Sequence, residues 1–74
     1  MKIEDVIEVN PNKLSGTPVF AGTRVPIKNL FDCLKGGESL DEFLAQFPTV
    51  IREQAEAAIE LSQVMLLANY EVAA

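Results

Sequence analysis

The 74-residue sequence predicts a mostly α fold, a three-helix helix-turn-helix core behind a short N-terminal β-ribbon of two or three strands. Apolar residues recur at i, i+3, i+4 and i+7 in two successive stretches, each closed by a strong helix stop, and a longer helical pattern follows. β-Branched runs punctuated by glycine and proline are confined to the first third of the chain. A domain usually takes about 100 to 200 residues, so a single small domain is expected. It divides into a ribbon over 1–25, a helical core over 26–68 and a tail over 69–74.

The first strand is read from Val6-Ile7-Glu8-Val9, stopped by Asn10-Pro11-Asn12, where asparagine tolerates left-handed geometry and proline fixes φ. Pro18-Val19-Phe20 and Thr23-Arg24-Val25 then read as two extended runs folded about Ala21-Gly22, with Gly16 and Gly22 supplying backbone freedom. So small a ribbon leaves open edges, which predicts pairing across a dimer.

Pro26 opens the first core helix, since its missing N–H would be unpaired in a first turn anyway. Ile27, Leu30, Phe31 and Leu34 form its apolar stripe, and Gly36-Gly37 closes it behind Lys35, a cation suited to the last turn. Ser39-Leu40-Asp41-Glu42 is a capping box for a second helix with the stripe Leu40, Phe43, Leu44 and Phe47, ended by Pro48. Thr49 is expected to cap a third helix burying Ile51, Ala55, Ala58, Ile59, Ser62 and Met65 or Leu66. Val64-Met65-Leu66-Leu67-Ala68 is apolar on every side, so that end must be covered by the strands, by a partner or by a second copy.

The segment Gly16 to Pro26 resembles the signature hairpin of a small bacterial and archaeal family known as domain of unknown function 433, in which that hairpin precedes a helix-turn-helix. Leu30, Leu34, Gly36, Ser39, Glu42, Phe47-Pro48 and Ala57-Ala58 extend the resemblance, which covers roughly Ile7 to Gln63. Members are often encoded beside a PIN-like ribonuclease. The resemblance therefore implies a VapB-like antitoxin that sequesters such a toxin and represses its own operon.

Charge favours a protein partner over nucleic acid. The net charge is −5, and residues 38–74 carry one cation against seven carboxylates, while residues 1–37 carry five against four. Phosphate attraction dominates nucleic-acid affinity, so unaided DNA binding is disfavoured, whereas the acidic half suits a basic protein. Candidate DNA contacts are Arg24 and Lys28, with Thr49, Arg52 and Gln54 facing outward from the third helix beside the repelling Glu53, Glu56 and Glu60. Arg24 has a second reading, as a fork onto an internal acid or a helix C-terminus. Val64, Met65, Leu67 and Tyr70 are the candidate partner or dimer surface.

Catalysis is not expected, because the chain holds no histidine and no phosphate loop, and its carboxylates are spread along amphipathic helices. No cofactor is expected, and the lone Cys33 leaves no zinc ligand set. Cys33 reads as a small packed side chain in a reducing compartment, and neither a leader nor an apolar span is apparent, which together predict a cytoplasmic protein. The expected partners are a PIN-like ribonuclease toxin and secondarily operator DNA, with self-association into a homodimer or higher oligomer.

Overall fold

Helix formation begins earlier than the ribbon reading allows. In the computed structural model, which describes residues 1–70, Ile3–Val6 form one helical turn, α1, whose start is closed by the Asp5 carboxylate accepting from the Lys2 N–H at 3.0 Å. The first strand, β1, is consequently Ile7–Glu8, shorter than Val6 to Val9; Val6 lies in α1 with its side chain in the core. The Asn10 turn forms as expected, Asn10 Oδ1 accepting from the Asn12 N–H at 2.9 Å and the Asn10 carbonyl from the Lys13 N–H at 2.8 Å.

The second strand, β2, is Val19–Phe20, and it pairs antiparallel with β1, Ile7 opposite Phe20 and Glu8 opposite Val19. Thr23 to Val25, the run expected to extend the ribbon, is not a strand; an isolated bridge joins Val19 to Pro26. Thr23 is the physical reason. Its N–H closes a turn onto the Phe20 carbonyl at 3.0 Å with Gly22 at φ +77°, as a type II turn requires of its third residue. Its hydroxyl then donates to that same carbonyl at 2.8 Å and accepts from the Val25 N–H at 3.0 Å, taking up a donor that a continued ladder would need.

The next two helices lie where the sequence places them. Helix α2 is Ile27–Lys35, capped by Pro26 at its start. At its end Gly37 sits at φ +90° while the Glu38 N–H donates to the Cys33 carbonyl and the Gly37 N–H to the Leu34 carbonyl, the paired bonds of a Schellman motif. Helix α3 is Leu40–Gln46, and its capping box is complete: Ser39 Oγ accepts from the Glu42 N–H at 3.1 Å and the Glu42 carboxylate from the Ser39 N–H at 3.0 Å. Those donated bonds hold the Glu42 pKa below the usual carboxylate range.

Helix α4 is Arg52–Ala68, with Ile51 rather than Thr49 at the cap position. No hydroxyl closes it; Gln54 Oε1 accepts from the Ile51 N–H at 3.2 Å instead. The buried face of α4 keeps the expected Ala55, Ala58, Ile59 and Ser62 but exchanges Ile51 for Gln54. Val50, Gln54, Ala55 and Ala58 are buried, Ile59 and Ser62 are half-buried, and Ile51 is 50% exposed. Met65 and Leu66, one or other of which the pattern places inside, are 68% and 73% exposed, because the stripe continues along the helix after the body of the domain has ended.

Val6, Phe20, Leu30, Phe43, Val50, Ala55 and Ala58 form the core, drawn from all four helices, β2 and the connection between α3 and α4. Phe20 and Phe43 meet in tilted contact at 6.0 Å between ring centres, and Phe43 meets Phe47 at 5.0 Å, bringing the β-turn onto α3. Phe31, Leu34, Leu40 and Leu44 pack around this centre, half-buried.

Candidate protein-interaction surface

Two open grooves flank α1 where it lies on α4. The larger, about 800 Å³, has a floor of Met1, Ile3, Ala57, Leu61 and Val64. Its walls are Asp5 from α1 and Glu53, Glu56 and Glu60 from α4. The three glutamates recur at i, i+3 and i+7, so α4 presents them as one exposed acidic row beside an apolar strip. The smaller groove, about 190 Å³, is almost wholly apolar and runs between α1, α2 and α4, with Ile3, Ile7, Ile27, Phe31, Leu61 and Met65 around it.

Sequence reasoning did not find the larger groove, because Met1, Ile3 and Asp5 reach it only through α1, a helical turn too short to leave a periodic signal. It did find the apolar end of α4. Val64, Met65, Leu67 and Tyr70 are all exposed, as is Leu66, and none is covered by the strands. Of the tail, Glu71 to Ala74 lie outside the described residues.

The residues proposed for DNA fare differently from one another. Gln54 is 6% exposed and does not face outward: its Nε2 donates to the Asp5 and Ala21 carbonyls, both at 3.0 Å, so its amide is consumed in the interior. Arg52 is exposed but bonded to Asp41 of α3, a contact that raises the pKa of its guanidinium. Lys28 pairs with Asp32 one turn along at 2.6 Å, and Lys13 pairs with Glu8 at 3.0 Å. Thr49 and Arg24 are exposed, and among the described residues Arg24 has no carboxylate within ion-pair distance.

Glu8 is the most heavily engaged carboxylate outside the groove. Its Oε1 accepts from the Gly22 N–H and from Lys13 Nζ, both at 3.0 Å, and the backbone donor followed by the ammonium holds its pKa below the usual range. Cys33 is half-buried, and its thiol pKa is raised by its bond to Glu38 and then by burial, which makes it a poor nucleophile. Among the described residues no group of three histidine, cysteine or acidic side chains is placed to hold a metal ion. Among the described residues no helix is long and apolar enough to cross a membrane.

A family described as protein of unknown function (DUF433) matches residues 7–61. The chain is 32% identical over 54 residues to the uncharacterized protein y4eO of Sinorhizobium fredii (strain NBRC 101917 / NGR234), an alignment covering 73% of this chain and 24% of that protein. It thus spans about a quarter of the length of this curated relative. No solved structure matches the chain.

Proposed function

Since the chain belongs to the DUF433 family, we propose that it is a non-catalytic, antitoxin-like regulator that binds and neutralises a PIN-like ribonuclease. The observation that carries this reading is the acid-walled groove between α1 and α4, where Asp5, Glu53, Glu56 and Glu60 surround an apolar floor. A ribonuclease must present cationic side chains to hold a phosphate backbone, and those side chains fit a row of carboxylates that competes with the RNA. The apolar floor supplies the desolvated contact that charge alone does not, because buried apolar anchors rather than rim charges dominate interface energies.

Co-expression with the product of an adjacent ribonuclease-like gene tests it. Growth should be restored and the two proteins should copurify; unrelieved killing by a toxin that is stably co-produced defeats the proposal.

Operator binding through a helix-turn-helix remains the secondary proposal, with α3 as supporting and α4 as reading helix. It draws support from the tight α3 to α4 connection and from the exposure of Thr49 and Arg24. Arg52 would first have to leave Asp41, and Gln54 is excluded by its burial. A mobility shift at low salt, weakening steeply as salt rises, is the expected signature of DNA binding. No shift with or without the partner eliminates it.

A further inference from the structure

We propose that the uncharged end of α4 is the interface between two copies of this chain, crossing antiparallel near Met65. The core-facing stripe Ala55, Ala58, Ile59 and Ser62 continues in register as Met65 and Leu66, yet these two are 68% and 73% exposed. Their spacing is that of buried positions, yet Met65 reaches only the rim of the open apolar groove between α1, α2 and α4 and both side chains are left largely uncovered. Val64, Leu67 and Tyr70 complete an apolar sleeve around the helix. Immediately beside it lies the apolar groove walled by Ile7, Ile27, Phe31 and Leu61, so one chain carries both a projecting arm and a receptacle of matching chemistry.

Charge selects a second copy as the occupant and antiparallel as the direction. Residues 61–70 contain no ionisable group apart from the Tyr70 phenol, whereas the chain as a whole carries −5. Over such a segment two acidic molecules can meet without bringing like charges into the contact. A parallel crossing would lay the row Glu53, Glu56, Glu60 alongside its copy. An antiparallel crossing centred on Met65 instead sends the two rows to opposite ends and sets residues 66–69 of each copy against residues 61–64 of the other. At a rise of about 1.5 Å per residue, each arm then reaches the groove beside its partner's Leu61. The contact is isologous, one patch meeting itself about a two-fold axis. It takes up Leu61 and Val64, which also line the acid-walled groove, but leaves the carboxylates Asp5, Glu53, Glu56 and Glu60 outside the crossing, so the acidic row on which the ribonuclease reading rests is not part of the dimer contact.

The test uses the 74-residue chain alone, by sedimentation equilibrium from low to high micromolar concentration. The expected mass is twice the 8.1 kDa of one chain, and Leu66→Glu should halve it while helix content by circular dichroism is unchanged, because Leu66 lies outside the core. In a Cys33→Ser background, Met65→Cys should cross-link between copies on oxidation, and Glu53→Cys should not. A monomer throughout, a dimer unmoved by Leu66→Glu, or equal cross-linking at both cysteines overturns the proposal.

Discussion

The side-chain amide of Gln54 donates to the carbonyl of Ala21 at 3.0 Å, across 33 residues of sequence. A second N–H of the same amide reaches the Asp5 carbonyl across 49 residues, while its oxygen accepts from the Ile51 N–H. One buried polar group thus caps α4 and fastens both the β-turn and α1 to it. Every donor and acceptor of the amide is used, which is the condition under which burying it is favourable.

Gln54→Ala should therefore lower stability by about 2 kcal/mol, since it takes the donor from the Asp5 and Ala21 carbonyls and removes the cap of α4. Gln54→Glu should be at least as damaging, because a carboxylate would face the Asp5 and Ala21 carbonyls with no hydrogen to give. Urea denaturation measures both. Equality of either variant with wild type would show that water takes over these bonds.

The two glycines that end α2 should respond oppositely to alanine. Gly37 lies at φ +90°, where a side chain is strained, and Gly37→Ala should cost about 1 kcal/mol. Gly36 lies at φ −79°, a negative φ that any residue adopts, and a Cβ there would meet the Asp32 carbonyl at 3.4 Å, so Gly36→Ala should be neutral or stabilise by up to about 1 kcal/mol. Thermal melts of the pair would check the ordering, and equal losses would contradict it.

Acid should loosen the turn that Glu8 holds. Its folded pKa is depressed, so its contribution is fully present above the unfolded value, about 4.3, and is lost as pH falls through the lower folded value. Glu8→Gln can still accept from the Gly22 N–H but does not titrate, so its melting temperature should fall less steeply than wild type below that pH. Superimposable profiles would remove Glu8 from the account. Asp32 and Glu42 are depressed in the same direction, by Lys28 and by the Ser39 cap, so some acid lability should persist in the variant.

Complex formation with a cationic ribonuclease should depend on the acidic row of α4. Glu56→Lys with Glu60→Lys should abolish neutralisation and leave the fold intact, since both side chains are exposed. Affinity of the unmodified pair should fall with rising salt, as expected for exposed charges. Binding that survives both the reversal and high salt would place the contact elsewhere.

Features encoded over one or two helical turns were legible in the sequence. The Ser39–Glu42 box, the Gly36-Gly37 exit and the Pro48 stop each act through neighbours a few residues away, and α2 and α3 lie where they predict. Long-range choices were not. Phe20 lies between two β-branched runs and its N–H does reach the Val25 carbonyl, but only β1 forms a strand with it, because Thr23 holds the Val25 N–H that would continue the second ladder. Gln54 sits three residues from Ile51 and four from Ala58, so its position on the inner face was readable; its polarity argued for solvent, and only the Asp5 and Ala21 carbonyls explain its burial. Met65 and Leu66 follow the same periodicity as the core, and periodicity does not say where the opposing surface stops.

The reach of the Gln54 amide bears on when this protein can fold during synthesis. Asp5 and Ala21 leave the ribosome well before the residue that secures them, and the core they border lacks Val50, Ala55 and Ala58 until α4 has emerged. Loop closure over such separations is slow compared with forming a single helical turn. This segment must therefore wait, largely unassembled, until residues 50–58 have emerged, and a chain broken before Gln54 would be unable to close.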